Sequence, residues 1–326
     1  MNIRKGALEV RKTWGGFRQA RVLLTANNFG VFDHLSSAKT AEELAGVLGV
    51  DPRATEILLD ALTALGFLKK RRGLLKKARP TYRNTPLAQT FLVRGAPYYQ
   101  GDILRHADTL WQNWSGLDEV LKSGRPAGRA HDHGSFIRGM HNLALLRVDE
   151  VMKAVDLKGA KKALDLGGGP GTYSVALANR GVKVTLFDMP DTIRIAREMI
   201  AEAGVSGVDF IEGDFCVDPI GTGYDLILIS QIFHAYSAEE NLGILQRCMD
   251  ALNPGGKVVI QEFLIDKSLT SPVQGALFSI NMLVGTQAGR CYAPEEMKRW
   301  LSQAGFRAIR RKVMDDHVIM TGRKKG

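Results

Sequence analysis

The sequence lacks the features of a membrane protein or of a disulfide-rich secreted protein. None of its apolar runs approaches the ~18 residues that a membrane span needs. The first residues, MNIRKGALEVRKTW, are charged throughout and do not form a secretory signal. The only cysteines, Cys216, Cys248 and Cys291, form no CxxC pair, which disfavours a disulfide scaffold and a structural zinc site. We therefore expect a cytoplasmic protein with no membrane partner and no metal.

Acidic residues are scarce in the first third of the chain. Residues 1–100 contain 17 Lys and Arg against 7 Asp and Glu, whereas residues 101–326 contain 27 of each sign. The whole net charge of +10 therefore lies in the first hundred residues. A basic, compact N-terminal region is compatible with nucleic-acid binding, and this hypothesis has to be tested against the pattern of the same segment.

The N-terminal segment has the order of elements that is typical of a winged helix. Apolar residues recur at helical spacing, and capping and turn residues separate the elements. The predicted elements are one or two amphipathic helices over 1–30, a short apolar helix over 28–35, a helix over 41–50 with a capping box at Thr40 and Glu43, a helix over 53–65, and a basic hairpin over 68–84 with Gly73 near its tip.

The helix over 53–65 would have to read DNA if this domain were a DNA-binding module. Its polar side chains are Arg53, Glu56, Asp60 and Thr63, set among apolar residues. This composition suits burial better than a DNA groove. We therefore interpret residues 1–100 as a dimerisation domain whose basic residues form a solvated face. A winged-helix DNA-binding regulator remains the alternative.

The pattern changes after residue 160, where short apolar runs alternate with helical segments. This alternation predicts an α/β fold with a parallel sheet. The predicted strands are 161–167, 182–188, 208–214, 224–230 and 255–265, and the predicted helices are 171–180, 191–203 and 238–252. We divide the chain into a dimerisation domain at 1–100, linking helices at 101–155 and a ligand-binding domain at 156–326.

A glycine-rich loop follows the first predicted strand of this domain. Asp165, Gly167, Gly169 and Gly171 form a DxGxGxG pattern at a strand-to-helix turn. Glycine lets a ligand approach the backbone there, and the helix N-terminus offers N–H groups. A dinucleotide fingerprint would need a glycine at Thr172. An acidic residue ahead of the loop answers a cationic amino acid group and repels phosphate, so the spacing favours a nucleoside-sulfonium ligand.

Two further carboxylates end the next two predicted strands. Asp188 ends the second strand, where an acidic group can accept both ribose hydroxyls of a nucleoside. Asp214 ends the third strand, and it could accept a hydrogen bond from an adenine amino group while Phe215 packs beside the ring. The three features fall at the carboxyl ends of successive strands, where open α/β sheets bind ligands.

These motifs carry a family resemblance. Residues 162–265 resemble class I S-adenosylmethionine (SAM)-dependent methyltransferases, which have a Rossmann-like sheet with helices on both faces. The whole chain resembles the caffeate/hydroxyneurosporene-type O-methyltransferases, and the segments 25–35 and 40–68 are similar to that family's dimerisation domain. The resemblance implies SAM as cofactor, S-adenosylhomocysteine (SAH) as its product, and a homodimer. The implied cofactor-binding residues are Asp165, Gly167, Gly169, Asp188, Met189, Asp214, Phe215 and Ser230.

The resemblance also implies a catalytic base. The family's HDW motif falls on His234, Ala235 and Tyr236, and histidine ionises close enough to neutral pH to remove a hydroxyl proton. The family brackets this base with two Glu residues. One matches Glu262, but Cys291 stands where the other would fall. A thiol cannot stabilise an imidazolium as a carboxylate does, so the acceptor could be more acidic than a phenol, or a carbon or nitrogen centre.

The acceptor pocket is assigned by resemblance to Phe136, Met140, Met282 and Cys291. His131 and His133 could supply two metal ligands, but the sequence offers no third nearby. We expect O-methylation of a small aromatic, polyketide or isoprenoid-type hydroxyl. The alternative within the same superfamily is a C- or N-methyltransferase acting on a small molecule such as a tetrapyrrole.

Overall fold

The computed structural model describes residues 1–72, 79–128 and 131–326, and the chain divides into two compact units, Met1–Asp108 and Thr109–Gly326. The helices of the described residues are α1 (Ile3–Gly15), α2 (Phe17–Asn28), α3 (Ala41–Leu48), α4 (Pro52–Ala64), α5 (Pro86–Phe91), α6 (Gly101–Trp114), α7 (Leu117–Ser123), α8 (His133–Leu145), α9 (Val148–Ala154), α10 (Thr172–Ala178), α11 (Pro190–Glu202), α12 (Ala238–Ala251), α13 (Val273–Gly285) and α14 (Pro294–Gln303). The strands are β1 (Lys39–Thr40), β2 (Leu68–Arg71), β3 (Thr81–Asn84), β4 (Lys162–Leu166), β5 (Lys183–Asp188), β6 (Val208–Glu212), β7 (Tyr224–Ser230), β8 (Leu252–Phe263), β9 (Arg307–Met314) and β10 (His317–Arg323).

The N-terminal unit contains helices and a small antiparallel sheet of order β1-β3-β2. The predicted capping box of α3 is confirmed, since the Glu43 N–H donates to Thr40 Oγ1 at 3.2 Å and the Thr40 N–H donates to Glu43 Oε2 at 2.7 Å. The helix predicted over 28–35 is wrong in extent. Gly30 adopts a φ of +64° after α2, and only a 3-10 turn, Val31–His34, follows.

The predicted hairpin is present as β2 and β3, which pair antiparallel from Leu68 opposite Asn84. Its predicted tip at Gly73 lies outside the described residues. The order of α3, α4 and the hairpin is the one that the winged-helix interpretation requires, and that interpretation stays a prediction. The division between the two units falls inside α6, and the proposed three-part boundaries at 100 and 155 also stay predictions.

The C-terminal unit contains a seven-stranded sheet of order β6-β5-β4-β7-β8-β10-β9. The five strands from β6 to β8 are parallel, and each overlaps a strand predicted from the sequence. β10 pairs antiparallel with both β8 and β9, and these last two strands were not predicted. Helices flank the sheet, so the Rossmann-like α/β prediction is confirmed.

The central strands are buried because their residues are apolar in a continuous run. Leu164, Leu186, Ile227 and Val259 are each at most 1% exposed, as expected for parallel strands that helices cover on both faces. Each such side chain contributes about 1.5–3 kcal/mol by its burial. The well-packed core fixes the carboxyl ends of β4, β5, β7 and β8 along one edge. Among the described residues, no helix combines the length and apolar character that a membrane crossing requires.

Candidate active site

The glycine loop between β4 and α10 approaches neighbouring segments too closely for any side chain. Gly167 has a φ of +68°, and a Cβ atom placed on it would lie 2.4 Å from Ile232 Cδ1 and 3.4 Å from Phe215 Cε1. Only glycine fits such a position. The loop therefore meets the residues that follow β6 and β7, which brings three of the predicted strand ends together.

The Asp188 carboxylate binds the glycine loop directly. Its Oδ2 accepts from the Gly169 N–H at 2.8 Å, and its Oδ1 accepts from the Met189 N–H at 2.8 Å. Burial raises the pKa of Asp188, and these two backbone bonds oppose that shift. Each carboxylate oxygen accepts more than one hydrogen bond, so Asp188 retains lone pairs for two ribose hydroxyls. The Met189 side chain is 52% exposed at the rim.

Asp214 and Phe215 lie after β6, where the sequence predicts the adenine site. Asp214 Oδ1 accepts from the Cys216 N–H at 2.9 Å, which fixes the carboxylate. The Phe215 ring is 7% exposed and lies 5.6 Å from the Tyr236 ring in an edge-on contact. Tyr236 was not among the predicted site residues. It stands at the last position of the segment that the HDW motif matches, and that match could have indicated it.

Asp165 lies beneath the loop and is itself buried. It is 1% exposed and accepts from Ser174 Oγ at 2.7 Å, and a Cβ atom on Gly168 would lie 2.9 Å from its Cγ. Burial raises the pKa of Asp165 to about 6. The carboxyl therefore supports the loop and α10 from below. Its predicted contact with the cofactor's amino group stays a prediction.

His234 and Glu262 form a buried pair at the carboxyl ends of β7 and β8. His234 Nδ1 lies 2.8 Å from Glu262 Oε2, and the two side chains are 11% and 5% exposed. The His234 N–H also donates to Glu262 Oε1 at 3.3 Å. A carboxylate only accepts, so Nδ1 carries a hydrogen, and in the neutral ring Nε2 then presents a lone pair. This is the arrangement that a general base requires.

The turn that carries His234 begins with a strained residue. Ser230 ends β7, and its Oγ donates to Gln261 Oε1 at 2.7 Å. The next residue, Gln231, has a φ of +60°, and its N–H donates to the Gln261 carbonyl at 2.9 Å. A left-handed conformation costs a non-glycine residue about 1–2 kcal/mol. Sequence reasoning missed Gln231, because φ is not visible in a residue pattern.

The predicted pocket residues lie on two helices and a loop of the C-terminal unit. Phe136 and Met140 are half-buried on α8, Met282 is 9% exposed on α13, and Cys291 is 2% exposed in the loop before α14. Burial raises the pKa of the Cys291 thiol to about 11, so the thiol is neutral near pH 7. It supplies no second negative charge beside Glu262, and the departure seen in the sequence is a real difference in charge.

Two aromatic residues beside His234 were missed. The Phe278 ring lies 4.9 Å from the His234 ring at 88°, and the Phe263 ring lies 4.0 Å from the Phe278 ring. Phe278 precedes Met282 by one helical turn, so helical spacing could have found it. Phe263 directly follows Glu262 on β8. Together they form an apolar wall next to the base, suited to a planar acceptor.

His133 is the first residue of α8 and His131 lies two residues before it, and their rings are 5.5 Å apart. His133 Nε2 lies 3.2 Å from Thr192 Oγ1 on α11. The described ranges 1–72, 79–128 and 131–326 contain no group of three His, Cys, Asp or Glu side chains that could hold a metal ion. The His133 contact with Thr192 therefore belongs to the packing between α8 and α11.

Comparison with known proteins identifies the family. A model of the O-methyltransferase domain matches residues 107–307, and a model of the O-methyltransferase dimerisation domain matches residues 12–94. The chain belongs to the O-methyltransferase family. It is 35% identical over 311 residues to 3-hydroxy-5-methyl-1-naphthoate 3-O-methyltransferase of Streptomyces sahachiroi, covering 90% of this chain and 88% of that protein. It is 32% identical over 318 residues to bovine (Bos taurus) acetylserotonin O-methyltransferase, covering 90% and 91%.

Solved structures of the family agree with this assignment. Human N-acetylserotonin methyltransferase in complex with SAM superposes with a TM-score of 0.89 and 27% identity, over 98% of both chains. PigF with SAH superposes with a TM-score of 0.86 and 25% identity, over 99% of this chain and 100% of that chain. This family member is therefore a SAM-dependent O-methyltransferase. Its O-methyltransferase domain indicates a small-molecule substrate, and its dimerisation domain indicates a homodimer.

Proposed function

We propose that this O-methyltransferase methylates a hydroxyl of a small aromatic or polyketide-type acceptor, with His234 as the general base. The observation that carries the proposal is the 2.8 Å contact between His234 Nδ1 and Glu262, beside the aromatic wall of Phe278 and Phe263. The names of three relatives refer to a hydroxynaphthoate, a tetracenomycin polyketide and acetylserotonin, and they support this acceptor class.

The cofactor site fits SAM by the chemistry of its donors and acceptors. We assign the ribose hydroxyls to Asp188, the adenine to Asp214 and Phe215, and the close backbone approach to Gly167 and Gly169. Met189 and Ser230 complete the set, and Asp165 supports the loop. When bound, SAM supplies a methyl group on a positively charged sulfur. The chain has to hold the acceptor oxygen in line with that methyl group and exclude water.

His234 removes the acceptor's proton in this mechanism. The hydroxyl hydrogen passes to Nε2 as the oxygen attacks, and the imidazole becomes positively charged. Glu262, whose side chain is buried, stabilises that charge through Nδ1. With a neutral thiol at Cys291, Glu262 is the carboxylate that performs this role. This favours acceptors whose hydroxyl is more acidic than a simple phenol.

The test is methyl transfer from isotopically labelled SAM to a panel of hydroxynaphthoates, hydroxylated polyketides and hydroxyindoles, followed by mass spectrometry. His234→Ala should lower kcat by about 10²- to 10⁴-fold, the usual contribution of a positioned base, while SAH affinity stays within threefold. His34→Ala, in the N-terminal unit, is the matched control. Full activity of His234→Ala would refute the assignment, and product methylated on carbon or nitrogen would redirect the acceptor class.

The finer proposal for the dimer is that α1 supplies part of the contact. None of the residues of α1 is buried within the chain. Ile3, Val10 and Phe17 recur at seven-residue spacing with Trp14 between them, and these four side chains are 50–82% exposed. Such spacing is typical of a helix that pairs with another helix. We call these four residues, three on α1 and Phe17 at the first position of α2, the apolar stripe of α1. No nucleic acid enters this proposal, and the cytoplasmic location stays a prediction.

A further inference from the structure

Gln231 combines two unfavourable features at one position. Its φ of +60° is a conformation that glycine adopts freely and other residues avoid. Its Nε2 is buried, and no residue of the described part of the chain accepts a hydrogen bond from it. A buried donor without a partner is costly, and native structures retain few of them, each with a cause such as a bound water, an ion or a catalytic role.

The backbone of Gln231 is held by the same strand, β8, that carries Glu262, the partner of the base. Its N–H donates to the carbonyl of Gln261 at 2.9 Å, and three residues later His234 pairs with Glu262. Consecutive residues of β8 therefore anchor both Gln231 and the base. The proposed ribose and adenine residues lie on the opposite side of β7 in the sheet order, after β5 and β6.

The residues on either side of Gln231 make contacts that do not involve its side chain. Ser230 Oγ already bonds Gln261 Oε1, and Ile232 provides the close contact with the glycine loop. A glycine at 231 would keep the turn and remove both unfavourable features. Strain that persists beside a reacting group is a sign of function, and here the retained chemical feature is an amide donor.

We propose that the Gln231 amide is a specificity-determining donor that binds an oxygen of the acceptor, a ring carbonyl or carboxylate separate from the hydroxyl that is methylated. The inference rests on the proposed aromatic acceptor class and adds to it. The Gln231 amide selects hydroxy-aromatic acceptors that carry an oxo or carboxylate group over plain phenols and naphthols. The amide is neutral, so it orients the acceptor without changing the charge around His234.

The experiment measures two acceptors, each with the parent enzyme and with the Gln231→Ala variant. The acceptors are 3-hydroxy-5-methyl-1-naphthoate and the same naphthol without its carboxylate. Gln231→Ala should lower kcat/KM for the carboxylated acceptor by about 10- to 100-fold, the range for a bond to a charged group. The naphthol should change by less than about threefold, because it never used the donor. Equal losses for both acceptors, or no loss, would overturn the proposal.

A second arm does not depend on finding an acceptor. Gln231→Gly should raise Tm by about 2–4 °C, because it removes strain and an unpartnered donor, and it should leave the Kd for SAH within threefold. A lower Tm or a weaker Kd for SAH would overturn the proposal and assign the amide to packing or to the cofactor. Leu269→Gly, at an exposed position with φ +61°, controls for glycine at a left-handed residue and should leave kcat and KM unchanged.

The two proposals fail in different ways. If no aromatic hydroxyl in the panel is methylated, the proposed acceptor class is wrong, and the Tm and SAH measurements then decide the role of Gln231. If acceptors are methylated and the two-acceptor experiment shows no selectivity at position 231, the acceptor class stands and the Gln231 proposal falls.

Discussion

At the scale of single residues, the geometry of the base depends on one carboxylate. Glu262 accepts hydrogen bonds from Nδ1 of the His234 ring at 2.8 Å and from the His234 backbone N–H at 3.3 Å, and both side chains are buried. Glu262→Gln keeps an oxygen in place but removes the negative charge. We expect kcat to fall by about tenfold or more, with KM and the Kd for SAH within threefold. A parallel loss of SAH affinity would indicate that Glu262 acts on folding of the site.

Asp165 predicts a pH dependence of stability. Burial raises the pKa of Asp165 from its ordinary value of 3.8 to about 6. The folded state therefore holds this proton more tightly than the unfolded state does. The stability contribution is present below about pH 4, is lost as pH rises to about 6, and stays lost above it. This pKa shift corresponds to a loss of about 3 kcal/mol in the free energy of unfolding.

The variant Asp165→Asn isolates this effect, because the amide keeps an acceptor for Ser174. Without cofactor, it should be more stable than the parent protein at pH 8, by up to about 3 kcal/mol, and equal to it near pH 4. Urea unfolding at the two pH values measures the difference. The same difference at both pH values would show that the charge of Asp165 is not its source.

The cysteines predict resistance to alkylation. Burial is the first cause of the raised pKa of all three thiols, to about 11 for Cys216, about 12 for Cys248 and about 11 for Cys291. The thiolate is the reactive form, so iodoacetamide at pH 7.5 should leave methyl transfer intact over hours. Mass spectrometry of the intact protein reports the alkylation. Rapid loss of activity with one adduct would contradict the burial of that thiol.

At the scale of elements, α12 fixes the turn that carries the base. Ser237 caps α12 through a capping box with Glu240, only three residues after His234, and Asn241 donates to the Phe233 carbonyl at 2.9 Å. Ser237→Ala should cost about 1 kcal/mol of stability and also lower kcat. Thr40→Ala removes the equivalent box of α3 and should cost similar stability without changing kcat. Equal kcat values for the two variants would show that the cap of α12 does not affect the geometry of the site.

The sequence predicts elements best where apolar residues run continuously. β7 was predicted at 224–230 and is found as Tyr224–Ser230, because its buried run 226–229 is apolar without interruption. β9 and β10 were missed. Arg and Lys recur along β9, which is an exposed edge of the sheet, so its pattern carries little apolar signal. The same limit applies to the site: strand-end carboxylates are visible in a sequence, whereas the burial of Asp165 and the φ of Gln231 depend on the packed structure.

At the scale of the whole molecule, the basic N-terminal hundred residues are compatible with a dimerisation domain or with a DNA-binding regulator. The helix that would have to enter a DNA groove, α4, buries Thr55, Leu59 and Leu62, so one face of it is committed to the core. Asp60 on the same helix pairs with Lys70 of β2 at 2.6 Å, which offsets some of the basic charge. We expect no sequence-selective shift of duplex DNA in a gel assay at 0.15 M salt. A selective shift would restore the regulator hypothesis.

The dimer provides the remaining prediction at this scale. The apolar stripe of α1 leaves Val10 66% exposed and Trp14 51% exposed within one chain, and Arg18 lies over the Trp14 ring at 5.1 Å. If a second copy covers the stripe, a charge placed there is buried without a partner, which costs several kcal/mol. Val10→Glu and Trp14→Glu should therefore each raise the dimer Kd by more than about a hundredfold in sedimentation equilibrium.

Leu8→Glu is the matched control for this experiment. Leu8 is also exposed, at 54%, but it lies five residues after Ile3, which places it at roughly 140° around the helix from that side chain. It should leave the dimer Kd within about threefold, although the new charge is the same. Equal weakening by all three variants would mean that helix charge alone controls association. No weakening by Val10→Glu and Trp14→Glu would exclude the stripe from the dimer contact.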